Sequence, residues 1–246
     1  MNSIIKKNIE EWSKHPFCDD THKKLNHLKN DKARLTDAFY KNLEFGTGGM
    51  RGLMGIGTNR INKYTIGKNT QGISNFINRN FDKNKSVVIA HDCRHNSSEL
   101  AKVVADVFSA NSIKSFLFSD LRPTPELSYA VRKLNCICGI VLTASHNPPE
   151  YNGFKVYWKD GGQIVPPIDN FLIEEIEKLK FNDINFNPNQ ELIEMLGEET
   201  DDQFIEICLK NGLNKEVKSR ASNKIVFTAL HGTSSTIIPK LFKKAG

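Results

Sequence analysis

Apolar and polar positions alternate between two periods through the middle of the chain. Ser86 to Asp92 reads S-V-V-I-A-H-D, a short β-branched run of strand type. From Asn96 to Ala110 the apolar residues Leu100, Val103, Val104, Val107 and Phe108 recur at three- and four-residue spacing, the buried stripe of a helix. Asn96, with Glu99 three residues later, supplies an N-cap and capping box. Ile113 to Ser119 is a second strand. Arg122-Pro123-Thr124-Pro125 then opens a helix to about Leu134, with Thr124 as N-cap and Pro125 at the first helical position. Gly139 to Leu142 has the length and composition of a strand covered on both faces. Strand, helix, strand, helix, strand predicts an α/β domain with a largely parallel sheet and helices packed on its faces.

The flanks are sparser. Residues 3–13 and 32–43 read as helices, the second with Leu35, Ala38, Phe39 and Leu43 on one stripe. Phe154 to Trp158 is a β-segment before the Asp160-Gly161-Gly162 turn, and a helix runs from about Ile168 to Lys180. Phe181 to Gln190 reads as a polar linker, which places a domain boundary between about 185 and 200. Beyond it come a helix (Asp201 to Lys210), a strand (Lys224 to Leu230) and a helix from Thr233 onward. One strand and two helices cannot close a sheet of their own, so Ile225, Phe227, Ile238 and Leu241 lack partners. The expectation is a fragment of a longer protein, or a chain that needs a partner.

Composition narrows the class. Of the 246 residues, 39% are hydrophobic and 25% charged, as in a soluble globular protein, and no apolar run nears the ~20 residues that span a bilayer. The first residues lack a signal peptide's apolar middle, so the expected compartment is the cytoplasm, without membrane association. Five cysteines, an odd number, suit a reducing compartment, and strand alternation would place Cys136 and Cys138 on one face as small buried hydrophobes. The net charge of +6 is spread among acidic neighbours, which argues against nucleic acid and suits small anionic substrates.

Candidate chemistry concentrates in T-A-S-H-N-P-P-E-Y-N-G-F-K, Thr143 to Lys155. Asn147-Pro148-Pro149 ends the preceding strand and leaves Ser145 and His146 in a loop at its C-terminal end, where open α/β sheets bind ligands. Phe45 to Arg60 contains six glycines, too many for the interior of a regular element, and reads as a loop or flexible hairpin suited to close backbone approach. It matches neither G-x-G-x-x-G nor a Walker A loop. Ser145 is not in a G-x-S-x-G elbow, which counts against a serine hydrolase, and no strand-linked fingerprint supports a dinucleotide site.

Thr143–Lys155 resembles the phosphoserine loop of the α-D-phosphohexomutases, the phosphoglucomutase and phosphomannomutase family. F-G-T-G-G-M-R-G resembles that family's amino-terminal G-T-x-G-x-R-G motif. H-D-C-R-H-N-S, R-P-T-P-E-L and T-A-L-H-G-T follow in the family's order, with Ala229 in place of a proline. About forty residues before the glycine-rich loop resemble the longer phosphoglucomutase and phosphopentomutase branch.

The resemblance implies a three-layer α/β/α domain with a mainly parallel mixed sheet, followed by the start of a second similar domain. Residues 1–44 would form its helical lead-in, 45–195 the first domain with the phosphoserine loop, and 200–246 the truncated start of the second. It implies a phosphosugar mutase that interconverts hexose 1-phosphate and 6-phosphate through a bisphosphate, glucose phosphate first, mannose or pentose phosphate as alternatives. Ser145 would carry the phosphoryl group and give Mg2+ a ligand through its phosphate. Arg51 would bind the transferring group, Lys155 would act as cation and possible base, and His146 would donate a hydrogen bond to phosphate. Without the resemblance these are a loop arginine, a strand lysine facing water and a turn histidine. His91, Asp92, Arg94 and His95 are read as architectural, and His231 as structural. Glucose 1,6-bisphosphate would be the activator. The family's D-G-D-x-D magnesium cluster is not in this sequence, and the expectation is little or no activity without the C-terminal domains. The competing reading is a non-catalytic sugar-phosphate binding module.

Overall fold

The computed structural model describes residues 3–212 and 224–246. Three helices, α1 (Ser3–Glu11), α2 (Asp19–Leu28) and α3 (Lys32–Phe39), lead into the first strand, β1 (Gly49–Leu53). A long helix, α4 (Lys63–Asn80), follows. The alternating segment is β2 (Ser86–His91), α5 (Ser97–Ala110), β3 (Lys114–Phe118), α6 (Thr124–Lys133) and β4 (Cys138–Leu142). After β5 (Tyr151–Trp158) come α7 (Ile168–Glu177), β6 (Ile193–Leu196), α8 (Glu198–Lys210) and α9 (Ile238–Ala245).

The strands form one mixed sheet in the order β1-β5-β4-β2-β3-β6. The β2–β3, β2–β4 and β3–β6 pairs are parallel, while β5 runs antiparallel to both β1 and β4. Side chains alternate between two cores. Val87 and Ile89 face α4, α5 and α7 with Ile140, Phe154 and Leu172, whereas Val88, Ala90 and Val141 face α6 with Leu127 and Val131. The mainly parallel three-layer α/β/α arrangement is therefore as read from the sequence. A third core joins the lead-in helices to the rest: Trp12 is fully buried against Phe17, Phe39, Tyr64 and Phe181. No helix among the described residues is long and apolar enough to cross a membrane.

Several local expectations need correction. Part of the glycine-rich segment is not a loop but an edge strand, because β5 approaches it so closely that a Cβ on Gly49 would lie 2.0 Å from the Phe154 carbonyl oxygen. Asn96 sits at the N-cap position of α5 in a left-handed conformation and makes no capping bond. The Asp92 carboxylate receives the nearby Arg94 N–H and Ser97 hydroxyl instead. Pro123, not Thr124, occupies the N-cap position of α6. Cys136 and Cys138 are both buried but in opposite cores, since β4 begins only at Cys138. The 181–190 segment is no free linker: Phe181 and Ile184 are buried, and the chain continues into β6 of the same sheet, inside the window expected for the boundary. Residues 224–230 form no strand, and Val226 is 98% exposed, with no β partner among the described residues. α9 starts at Ile238 after a short 3-10 turn at Thr233–Ser235. Residues 213–223 of the expected second domain lie outside the described residues.

Candidate active site

The parallel register pairs His91 with Leu142, so β2 and β4 end side by side and release their loops at the same edge of the sheet. The β4 loop presents Ser145, exposed, with φ at 56°. A non-glycine residue in this left-handed region costs ~1–3 kcal/mol and persists only where its surroundings hold it. The Thr143 hydroxyl accepts the Ser145 N–H at 3.0 Å, and the Asn147 N–H bonds to the Ala144 carbonyl at 3.1 Å. Pro148 and Pro149 remove two further donors, so the loop cannot re-enter a ladder. The Ser145 hydroxyl lies 3.4 Å from His146 Nδ1.

The β2 loop braces this one. Arg94 donates to the backbone carbonyls of Ser145 (2.8 Å), Asn147 (2.6 Å), Pro148 (2.8 Å) and Tyr151 (3.1 Å). Its Nε lies 3.3 Å from Asp92 Oδ2. Asn152, fully buried, donates to the Ser97 hydroxyl at 2.9 Å and to the His95 carbonyl at 3.2 Å, tying the start of β5 to the same loop. Sequence reading took the Asp92–His95 segment as architectural through a helix cap. The segment is architectural, but by clamping the serine loop; Thr143 supplies the turn hydrogen bond its place in the loop suggests, whereas nothing in the sequence points to Asn152. The available signal is that Asp92 ends, and Arg94 follows, a strand of the same largely parallel sheet that carries the serine.

Lys155 pairs across β5 with Val141 and with Gly49, while Arg51 pairs with Gly153. Arg51 and Lys155 thus share one sheet face as diagonal neighbours, a spacing of roughly 7–8 Å that long side chains bridge. Gly153 is required between them: a Cβ there would lie 2.5 Å from the Thr143 carbonyl oxygen and 2.9 Å from that of Met50. Ser145, His146 and Lys155 line a common cleft of about 880 Å³ with Asp92, Arg94 and His231. Arg51 does not line it. Its side chain stands exposed on β1, with no side-chain hydrogen bond or ion pair to the other described residues. Leu230 to Thr233 of the T-A-L-H-G-T segment also line it, and the Cys93 thiol donates to the His231 carbonyl.

The cleft does not fit a divalent cation by itself. No group of three His, Cys, Asp or Glu side chains suited to a metal occurs among the described residues. The single carboxylate lining the cleft, Asp92, is already engaged by Arg94 and Ser97. Magnesium takes about six oxygens in near-octahedral geometry. What the cleft offers is an exposed hydroxyl on a held loop beside lysine and histidine, a group able to accept and pass on an anion.

Comparison with known proteins shows the family and the fold. Residues 42–183 match the family described as phosphoglucomutase/phosphomannomutase, alpha/beta/alpha domain I. A phosphoglucomutase of Staphylococcus aureus (strain bovine RF122 / ET3-1) is 38% identical over 211 residues, covering 84% of the chain. That of Staphylococcus haemolyticus is 39% identical over 212 residues, covering 83%. The chain spans 38% of the length of each. Among solved structures, a putative phosphomannomutase from Thermus thermophilus superposes with a TM-score of 0.60 at 26% identity, covering 69% of this chain and 36% of that one. The Paramecium phosphoprotein pp63/parafusin superposes at 0.61 with 18% identity, covering 82% and 42%, a likeness of fold alone.

Proposed function

The chain belongs to the phosphoglucomutase/phosphomannomutase family, and on that premise we propose that it is the serine-bearing part of a phosphosugar mutase, with Ser145 as phosphoryl carrier. The observation that carries the reading is the placement of Ser145: an exposed hydroxyl at the C-terminal edge of a parallel sheet, held in a left-handed backbone at the mouth of a cleft it shares with Lys155.

Phosphoryl transfer demands positioning and neutralisation of charge rather than an elaborate covalent apparatus. In the proposed reaction Ser145 Oγ forms a bond to phosphorus as the bond from phosphorus to a sugar oxygen breaks. The serine proton leaves and the released sugar hydroxyl gains one, with Lys155 as the proposed carrier. Phosphorylated Ser145 passes its group to the free hydroxyl of a hexose monophosphate, and the bisphosphate so formed reorients and returns its other phosphate to the serine, which completes the interconversion of 1- and 6-phosphates. Phosphorylated Ser145 would bring about −1.5 to −2 charges to the cleft. Lys155, His146 and the forked guanidinium of Arg51 are the proposed groups that meet them. Arg51 reaches this charge only across the sheet face it shares with Lys155. The described residues form no site for magnesium by themselves. Glucose phosphate is the proposed substrate, and the further length of the relatives the proposed source of metal and distal-phosphate contacts.

The test is an assay of glucose 1-phosphate conversion by this chain continued through the full length of its relatives, compared with its Ser145→Ala variant. The expected result is conversion to glucose 6-phosphate, faster than with mannose 1-phosphate or ribose 1-phosphate, and loss of activity in the variant. A folded full-length protein that binds sugar phosphates and converts none of them would contradict the mutase reading and leave a binding module.

A further inference from the structure

We infer that Arg94 is the positioning residue of the serine loop, fixing Ser145 in its left-handed conformation and turning the His146 amide to the loop's free side. The inference rests on the phosphoserine reading only for its consequence in phosphoryl transfer.

Four observations carry it. First, the loop's own contacts around Ser145 are few, an N–H bond to the Thr143 hydroxyl and the Asn147 turn. A serine in a sparsely populated backbone region needs more support than that. Second, one guanidinium gathers the carbonyls of Ser145, Asn147, Pro148 and Tyr151, so that the whole turn curls around a single planar fork. Third, the side chain of Arg94 is only 12% exposed and its charge faces Asp92 at 3.3 Å. It is committed to the loop and to that carboxylate, so its contribution is shape rather than a free positive charge. Fourth, the Ser145–His146 peptide is trans, so its carbonyl and its N–H point to opposite sides. With the carbonyl pinned to Arg94, the His146 N–H is turned away from the guanidinium, and it has no acceptor among the described residues. A free amide beside an exposed serine hydroxyl is a donor suited to a phosphoryl oxygen.

Lysine keeps the charge of arginine and loses the fork, so it separates positioning from electrostatics. The experiment measures amide hydrogen exchange in Arg94→Lys and Arg94→Ala, together with the rate at which Ser145 takes up phosphate from glucose 1,6-bisphosphate. Both variants are expected to exchange the Ser145, Asn147 and Tyr151 amides at least ~10-fold faster, with the β2 and β4 amides of Ile89 and Ile140 unchanged. Phosphate uptake is expected to slow by ~100-fold, the usual scale for a reacting group displaced by about 1 Å. If lysine preserves wild-type loop exchange and uptake, the fork is not the holding device and the inference fails. It fails equally if exchange rises in proportion across the sheet, which would make Arg94 a general stabiliser. If the wild-type chain takes up no phosphate while loop exchange still responds to both variants, the clamp stands and the phosphoserine reading falls.

Discussion

Arg122→Ala is expected to cost about 3–5 kcal/mol of folding stability, the range for removing one partner from a buried ion pair. Arg122 sits just before α6 and grips Asp201 of α8 through two bonds, at 2.7 and 3.0 Å, with both side chains almost wholly buried. Lys240 of α9 reaches the same carboxylate at 3.2 Å. The cluster therefore ties α8 and α9 to the sheet through α6. Without the guanidinium, Asp201 keeps only Lys240, and Glu126 remains beside it, fully buried, with neither carboxyl oxygen hydrogen-bonded. Urea denaturation of the variant checks the figure. A loss below about 1 kcal/mol would show that α8 docks through the Tyr129–Phe204 contact and its apolar neighbours instead. Replacing Arg122, Glu126 and Asp201 together by apolar residues of similar volume should restore much of the loss, because all the buried charge then disappears.

Stability set by Glu126 should fall as pH rises from about 5 to 8. Burial raises the Glu126 carboxyl to about 8, helped by the charge of Asp201. Burial alone would also raise Asp201, but the bonds from Arg122 and Lys240 and the Arg122 charge outweigh it and hold that group below its ordinary range. A folded-state value above the unfolded one means that the native chain binds the extra proton. The stabilisation is then complete below the unfolded value, near 4.3, and is lost as pH climbs through the folded value. The groups facing Glu126 are Arg122, Asp201 and Lys240, with Cys208 on α8 also pushed up by burial and by the Glu126 charge. Cys18 acts in the opposite sense: hydrogen bonds from Thr21, Tyr64 and Lys63 outweigh burial and lower its thiol to about 6, so its contribution grows with pH. The difference between wild type and Glu126→Gln therefore carries the test. Between pH 6 and 8 the wild type should lose on the order of 2 kcal/mol relative to the glutamine variant, at up to about 1.36 kcal/mol per pH unit. Parallel stability curves for the two proteins would contradict a proton held on Glu126.

The part of the fold that sequence exposes is the part whose buried residues are apolar. β2 to β4 and α5 carry β-branched and leucine positions in clean periods, and their bounds differ from the reading by only a few residues. α4 gives no clean period in the sequence, although it is central, because its buried face mixes Ile66, Ile73 and Ile77 with polar residues. The Asn69, Thr70 and Ser74 side chains donate to carbonyls four residues back, at 2.6, 2.9 and 2.7 Å. Gly72, a poor helix former, is needed where α4 crosses α7, since a Cβ there would lie 2.5 Å from Ile176 Cγ1. Such a helix looks like a loop until its neighbour is placed. The strand read at 224–230 is the opposite case, apolar residues with no described partner to pair with.

The site divides in the same way. Ser145 and His146 were legible because prolines end a strand beside them, and Lys155 because its motif places it on the next strand. Arg94 gives no local sign of its task. An arginine two residues after a strand-end aspartate is a surface charge until β2 is known to lie next to β4, and only then do four loop carbonyls fall within its reach. The motif groups Arg51 with the serine, yet β1 lies two strands from β4, beyond β5, and holds it outside the cleft lining.

The central claim is that Ser145 carries a phosphoryl group, and intact mass with phosphopeptide mapping tests it most directly. The chain and its Ser145→Ala variant would be mapped before and after incubation with glucose 1,6-bisphosphate and Mg2+, alongside the same proteins continued through the relatives' full length. The account predicts one phosphate on the peptide containing Ser145 in the wild type and none in the variant. A folded full-length protein whose Ser145 stays unmodified under these conditions would contradict it.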